Sequence, residues 1–177
     1  MADPLGSNFI EGPLGVVQIT FDSVDLGLTI DEANLEFIED IKDIFYAQYG
    51  TQPADKIPTG QAYQLTCKFG QPTWARLEKL LRGLTVSGNN ALAGRDLYRS
   101  GITSFAKSMS VARVDSTGVI SANPLYRIVC PKAMPMVTNL GAFGPDQQRE
   151  VEVNFYIFFD TTISAFWYAG YASSLGL

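Results

Sequence analysis

Apolar and polar positions alternate with period two along Glu150–Asp160, where Val151, Val153, Phe155, Ile157 and Phe159 interleave with Glu152, Asn154, Tyr156 and Phe158. Successive side chains of a strand point to opposite faces, so this pattern predicts a strand with one face in the core. The second series turns aromatic near its end, which predicts burial on both sides there. Gln61–Phe69 repeats the pattern, with Tyr63, Leu65, Cys67 and Phe69 on one face and Gln64, Thr66 and Lys68 on the other. Shorter runs at Val16–Phe21, Met109–Val114 and Tyr126–Cys130 read as further strands. The predicted class is mainly β.

A helical period is clearest at Pro72–Leu81, where a proline suits the first turn and Gly83 suits the C-terminal cap. Trp74, Leu77, Leu80, Leu81 and Leu84 form its apolar stripe, while Arg76, Lys79 and Arg82 are expected on the exposed side. The segment Asp31–Tyr49 fits two patterns. Leu35, Ile38, Ile41 and Phe45 are spaced for a helix, yet Asn34–Glu39 and Lys42–Gln48 also read as two strands, and their β-branched and aromatic content favours the extended form. Val86–Ser104 and Met136–Arg149 are rich in glycine and polar residues and are predicted as long loops. No linker or internal repeat interrupts the pattern, so residues 1–177 are expected to form one domain, with an extended arm at 1–15 and an aromatic tail at 161–177.

Composition adds exclusions. The 177 residues contain no histidine, which removes Ser-His-Asp and Cys-His hydrolases together with histidine-ligated zinc enzymes. Charged residues are 18% of the chain, low for a free-standing soluble subunit, which points to assembly. The net charge of -5 is unevenly laid out. Residues 1–50 hold ten acids and one base, residues 51–135 hold four acids and eleven bases, and the remainder holds four acids and one base. Such blocks suit acidic and basic faces that meet in self-association, whereas the overall acidity argues against plain DNA binding. Cys67 and Cys130 each sit in an apolar alternating run and are expected to be buried free thiols. Met1–Gly15 lacks the basic and apolar regions of a secretory signal, and Thr161–Leu177 is uncharged but too interrupted by serine and glycine for a membrane span.

No phosphate-binding loop, dinucleotide fingerprint or calcium loop is present. The carboxylates Glu36, Glu39, Asp40 and Asp43 could in principle bind a divalent cation or act as a catalytic pair, but at this density they read as a solvated or channel-facing surface. Arg95 and Arg99 could grip phosphate, and a glycine-rich setting favours an interface loop instead. Trp167, Tyr168 and Tyr171 suit a protein interface, since few bases lie near them. No cofactor, metal or catalytic residue is expected.

The order of landmarks resembles the tail tube (major tail) proteins of long-tailed bacteriophages. Glu11-Gly12-Pro13 is followed by Asp25-Leu26-Gly27-Leu28-Thr29, by Asp43-Ile44, by Tyr49-Gly50-Thr51-Gln52-Pro53-Ala54-Asp55 and by Thr59-Gly60. The alternating strand, the single helix and a late strand ending at Phe159-Asp160 complete the pattern over about residues 10–160. The resemblance implies a β-sandwich or barrel with one flanking helix and long loops, assembled into hexameric rings that stack as a hollow tube in the virion. It implies assembly in the bacterial host cytoplasm, transit of genome DNA, and sheath, tape-measure, baseplate and tail-terminator proteins as partners, with no membrane. Within that picture Glu36, Glu39, Asp40 and Asp43 become candidate lumen residues, of which alternation allows only some to face inward. Arg76, Lys79, Arg82, Arg95, Arg99, Trp167 and Tyr168 become candidate contacts between subunits or rings. A tube-end, neck or baseplate ring protein of the same fold, and a carbohydrate- or peptide-binding β-sandwich, are the competing classes.

Overall fold

A computed structural model describes residues 16–45, 55–70, 73–81, 84–87, 91–94, 105–114, 118–121, 123–140 and 150–170. Ten strands and one helix run in the order β1 (Val17–Phe21), β2 (Val24–Leu28), β3 (Asn34–Ile44), β4 (Asp55–Gly70), α1 (Trp74–Leu80), β5 (Leu84–Ser87), β6 (Ala91–Gly94), β7 (Lys107–Arg113), β8 (Arg127–Asn139), β9 (Glu150–Ile157) and β10 (Tyr168–Ala169). The chain is mainly β, as its alternation predicts.

The large sheet is antiparallel throughout, in the order β2-β1-β7-β8-β9-β4-β3, with β10 against β8. It curls round until its ends meet. Thr29, just past β2, bridges Phe69 of β4, and the Ile30 amide donates to the Lys68 carbonyl at 2.9 Å. Thr29 also locks β1, because its amide donates to the Val17 carbonyl at 2.9 Å and its buried hydroxyl accepts from the Val17 amide at 3.1 Å. The enclosed barrel is filled by alternate residues of each strand: Val17, Ile19 and Phe21, then Leu65, Cys67 and Phe69, then Val151, Val153, Phe155 and Ile157, with Met109, Val111, Ile128 and Cys130 opposite. Removing a large apolar side chain of this kind from water contributes about 1.5–3 kcal/mol.

Local chemistry explains the turns. Asp22 and Ser23 both have positive φ (49° and 63°) between the paired Phe21 and Val24, the two-residue hairpin turn whose twist matches that of the strands. Gly27 has φ 95°, and a Cβ there would meet an Arg76 side-chain nitrogen at 2.8 Å, so the glycine is required by both backbone and space. The helix is shorter than its pattern suggests and buries Leu77 and Leu80, leaving Trp74 exposed. Arg76 and Lys79 are not on its solvent side. Arg76 Nε donates to the Asp25 carbonyl at 3.0 Å and Lys79 Nζ pairs with Asp22 at 2.6 Å, so both fasten the helix to the β1–β2 hairpin.

Three readings change. Asn34–Ile44 is one strand, not a helix or two strands, because β4 supplies a continuous partner with a one-residue slip between Asp40 and Ile41. Part of the expected loop Val86–Ser104 is strand, since Leu84–Ser87 pairs with Ala91–Gly94 as a separate ribbon. Of the loop expected over Met136–Arg149, Met136–Asn139 is strand instead, because β8 continues through Pro135 along β9, and residues 141–149 lie outside the described residues. The arm at 1–15 lies outside the described residues. Of the tail, Phe166, Trp167 and Ala169 pack on the core cluster, and Tyr171 lies outside the described residues.

Candidate functional site

β4 pairs with β9 only from Tyr63 to Gly70, whereas it pairs with β3 from Asp55 to Thr66. Ile38–Ile44 and Asp55–Ala62 therefore leave the barrel as a two-stranded ribbon, seven residues on β3 and eight on β4 and about 25 Å long at ordinary strand rise. Its side chains are exposed on both faces almost throughout. Several are large and apolar: Ile38, Ile41 and Ile57 are 42%, 54% and 47% exposed, with Phe37 at the root 50% and Phe45 beyond β3 57% exposed. A two-stranded ribbon is marginal alone in water, and exposed apolar residues on an open edge invite further pairing.

Several strand edges carry no second strand among the described residues, and two of them are long. One is the outer side of β3, Asn34–Ile44. Another belongs to β8, which pairs with β7 only as far as Ala133, so that along Met134–Thr138 the described strand partner is β9 alone. Pro58 on the ribbon and Pro135 on β8 fit such edges, where a missing amide hydrogen costs no internal bond. The β8 edge escapes sequence reasoning because its prolines mask an alternation of Ala133, Pro135 and Val137 with Met134, Met136 and Thr138.

The register sorts the acidic run. Leu35, Phe37 and Glu39 share the face that continues into the core, with Leu65, Tyr63 and Gln61 opposite them. Glu36 and Asp40 share the other face, opposite Gln64 and Gly60. Asp43 lies past the slip and pairs with Lys56 at 3.7 Å. Glu36 sits in a row with Gln64, Tyr156 and Met134 across four strands, and Asn34 in a row with Thr66, Asn154 and Met136. Among the described residues no ion pair joins Glu36, Glu39 or Asp40, and no group of three or more acid or cysteine side chains could hold a metal.

At the ribbon's root Tyr63 gathers an aromatic cluster, with Phe37 at 5.0 Å, Phe166 at 5.1 Å and Trp167 edge-on at 6.2 Å between ring centroids. Trp167 is half-buried there, and Tyr168 pairs with Val129 in β10. Both are thus engaged within their own subunit, as are Arg76 and Lys79. Arg82, Arg95 and Arg99 lie outside the described residues. The segment carrying Phe166 and Trp167 is held by Asp160, whose carboxylate accepts the Thr162 amide at 2.9 Å and pairs with Lys132 at 3.2 Å. Those contacts, the Thr162 amide first, hold its pKa below the ordinary value. Cys67 and Cys130 are free and buried. Burial pushes the Cys130 thiol up to about 12 and the Cys67 thiol higher still, so neither is a nucleophile.

Fold and site together define an antiparallel β-barrel with a helix on its flank and an unpartnered strand pair at one side. No family model and no curated protein sequence matches the chain. Among solved structures it is similar to a chain in the sheath–tube complex of an extracellular contractile injection system, PVC, in the extended state, at 11% identity and TM-score 0.49, covering 81% of this chain and 85% of that one. A chain of the six-fold symmetrised anti-feeding prophage baseplate is similar at 10% identity and TM-score 0.41, with 80% and 87% covered. An Hcp protein is similar at 12% identity and TM-score 0.29, with 85% and 94% covered. With TM-scores below 0.5, none of these likenesses carries a functional reading. No helix among the described residues is long and apolar enough to cross a membrane.

Proposed function

We propose that the chain is the repeating subunit of a hollow tube, a structural protein of phage-tail type with no catalytic role. The observation that carries this reading is the projecting ribbon. Its exposed apolar faces and open β3 edge need a partner, and the β8 edge at Met134–Thr138 has β9 as its one strand partner among the described residues of the same sheet. If the β3 edge of one copy pairs with the β8 edge of the next, the contact is head-to-tail, and such contacts close into a ring when the rotation allows. Closure covers both of those edges in every copy.

In such a ring the barrel body lies on the Leu35–Leu65 side of the joined sheet, so the opposite face lines the bore. Glu36 and Asp40 then face the channel and Glu39 faces the outer layer. A carboxylate-lined bore repels phosphate, whereas a basic one would release counterions on contact and hold DNA. The finer picture is hexameric rings stacked in a virion tail that is assembled in the host cytoplasm, with sheath, tape-measure, baseplate and terminator proteins as partners. It rests on the order of sequence landmarks from Gly12-Pro13 to Phe159-Asp160.

Negative-stain imaging of the purified protein at high concentration tests the reading. Straight hollow filaments are expected, single closed rings would mark a tube-end protein of the same fold, and persistent monomers would overturn assembly altogether. Replacing Ile41 and Ile57 by lysine alters only exposed ribbon positions, so filaments should vanish while thermal unfolding of the subunit stays cooperative.

A further inference from the structure

The outer face of β1, β7 and β8 carries a groove of about 560 Å³, well within the roughly 300–1,000 Å³ range of ligand sites. Sheet register builds it. Thr20, Ser110, Val129 and Tyr168 stand side by side across four strands, and Gln18, Ala112 and Arg127 form the next row, closed by the Gly170 amide donating to the Arg127 carbonyl at 3.3 Å. Small side chains at Ser110 and Ala112 keep the floor low, while Gln18, Arg127 and Tyr168 rise at its rim. The far wall, at Ile120, Ser121, Asn123 and Pro124, is pinned by the Val114–Ile120 bridge and by the Ser121 amide donating to the Arg113 carbonyl at 3.0 Å.

The lining is chemically selective. Among the described residues it contains no carboxylate, in a chain with 18 acids against 13 bases, and Arg127 is the one charged side chain there. Arg127 Nε donates to Ser110 Oγ at 2.9 Å, which fixes the guanidinium across the floor and uses one of its five N–H donors. The other polar groups are hydroxyls and amides. β1, β7 and β8 are paired to one another beneath the groove and offer no free edge there, and β10 at its side is only two residues long.

We infer that this groove binds an acidic saccharide, a sugar chain carrying a carboxylate. Arg127 takes the carboxylate as a charge-assisted fork, Gln18, Thr20 and Ser121 exchange hydrogen bonds with ring hydroxyls, and the Tyr168 ring supplies a flat apolar wall. The two-residue edge of β10 is too short for an extended peptide to add to, and one cation among the described lining residues is too few for a nucleic-acid backbone. The site shares no lining residue with the ribbon strands or with the Met134–Thr138 edge, so it does not rest on tube assembly.

Calorimetric titration of the full chain with trigalacturonate, maltotriose and triglutamate tests it. Trigalacturonate should bind at millimolar or lower concentration, with maltotriose and triglutamate each about tenfold weaker, the factor expected from one charge-assisted bond or one set of lost hydroxyl contacts. Arg127→Gln should weaken trigalacturonate about tenfold and leave maltotriose unchanged, and Tyr168→Ala should weaken both. Absence of trigalacturonate binding, equal binding of maltotriose, preference for triglutamate, or indifference to both substitutions would each overturn the assignment. The Ile41 and Ile57 lysine variants, which remove assembly, should titrate as the native chain does.

Discussion

Thr29 does three things at once, two with its backbone and one with its hydroxyl. Its backbone bridges Phe69, its amide reaches the Val17 carbonyl, and its hydroxyl satisfies the buried Val17 amide. Thr29→Val keeps the shape but strands that amide, so a loss of about 1–3 kcal/mol is expected in denaturant unfolding. Asp160 is the second instructive residue. Its pKa is lower in the folded chain than in the unfolded one, so it favours the folded state most at pH values above the ordinary carboxylate value. That contribution fades as pH falls from the ordinary value, 3.8, through the lowered folded one. Asp160→Asn should therefore be less stable than the native chain near neutrality, and the difference in melting temperature should shrink as the two are compared in increasingly acidic buffer.

At the scale of elements, the helix and the β1–β2 hairpin act as one unit. Leu77 and Leu80 enter the core, while Arg76 and Lys79 tie the helix back to Asp25 and Asp22. Leu77→Ala should cost about 2–5 kcal/mol in chemical denaturation, the usual range for a buried leucine. The same arrangement shows why the helix face was misassigned from its periodicity. Period 3.6 identifies which residues share a stripe, and it is silent on whether a neighbouring turn rises to meet the cations on the other side. The Asp25-Leu26-Gly27-Leu28-Thr29 motif gains its physical meaning here too. Asp25 Oδ1 accepts the Gly27 amide at 2.8 Å, Gly27 makes room for Arg76, Leu26 is buried, and Thr29 closes the barrel.

For the whole molecule, the charge blocks are partly neutralised within one subunit. Three ion pairs join an acid of the first fifty residues to a lysine of the basic middle: Asp22 to Lys79, Asp31 to Lys68 and Asp43 to Lys56. The expectation that the blocks face different neighbours then concerns the charges left over, among them Glu36 and Asp40 on the face of β3 turned away from the core. Reversing both to lysine should leave the subunit fold and filament formation intact and make assembled tubes retain DNA in a salt-dependent manner, measured by co-sedimentation. Tubes that still fail to hold DNA would place these carboxylates away from the bore.

The strands around Ile19, Leu65, Val111 and Val153 were legible in the chain because one buried face forces a period of two, and the absence of histidine bounded the chemistry before any coordinates. Local pattern also located the acidic run and the two buried thiols. Which of Glu36, Glu39, Asp40 and Asp43 share a face depended on a single-residue slip opposite β4, and a slip leaves no trace in composition. The edge at Met134–Thr138, the groove at Arg127 and the reach of Arg76 to the Asp25 carbonyl were likewise invisible, because each arises where segments far apart in the chain are brought side by side. Alternation is a property of one strand and its solvent; edges, grooves and paired charges are properties of which strands become neighbours.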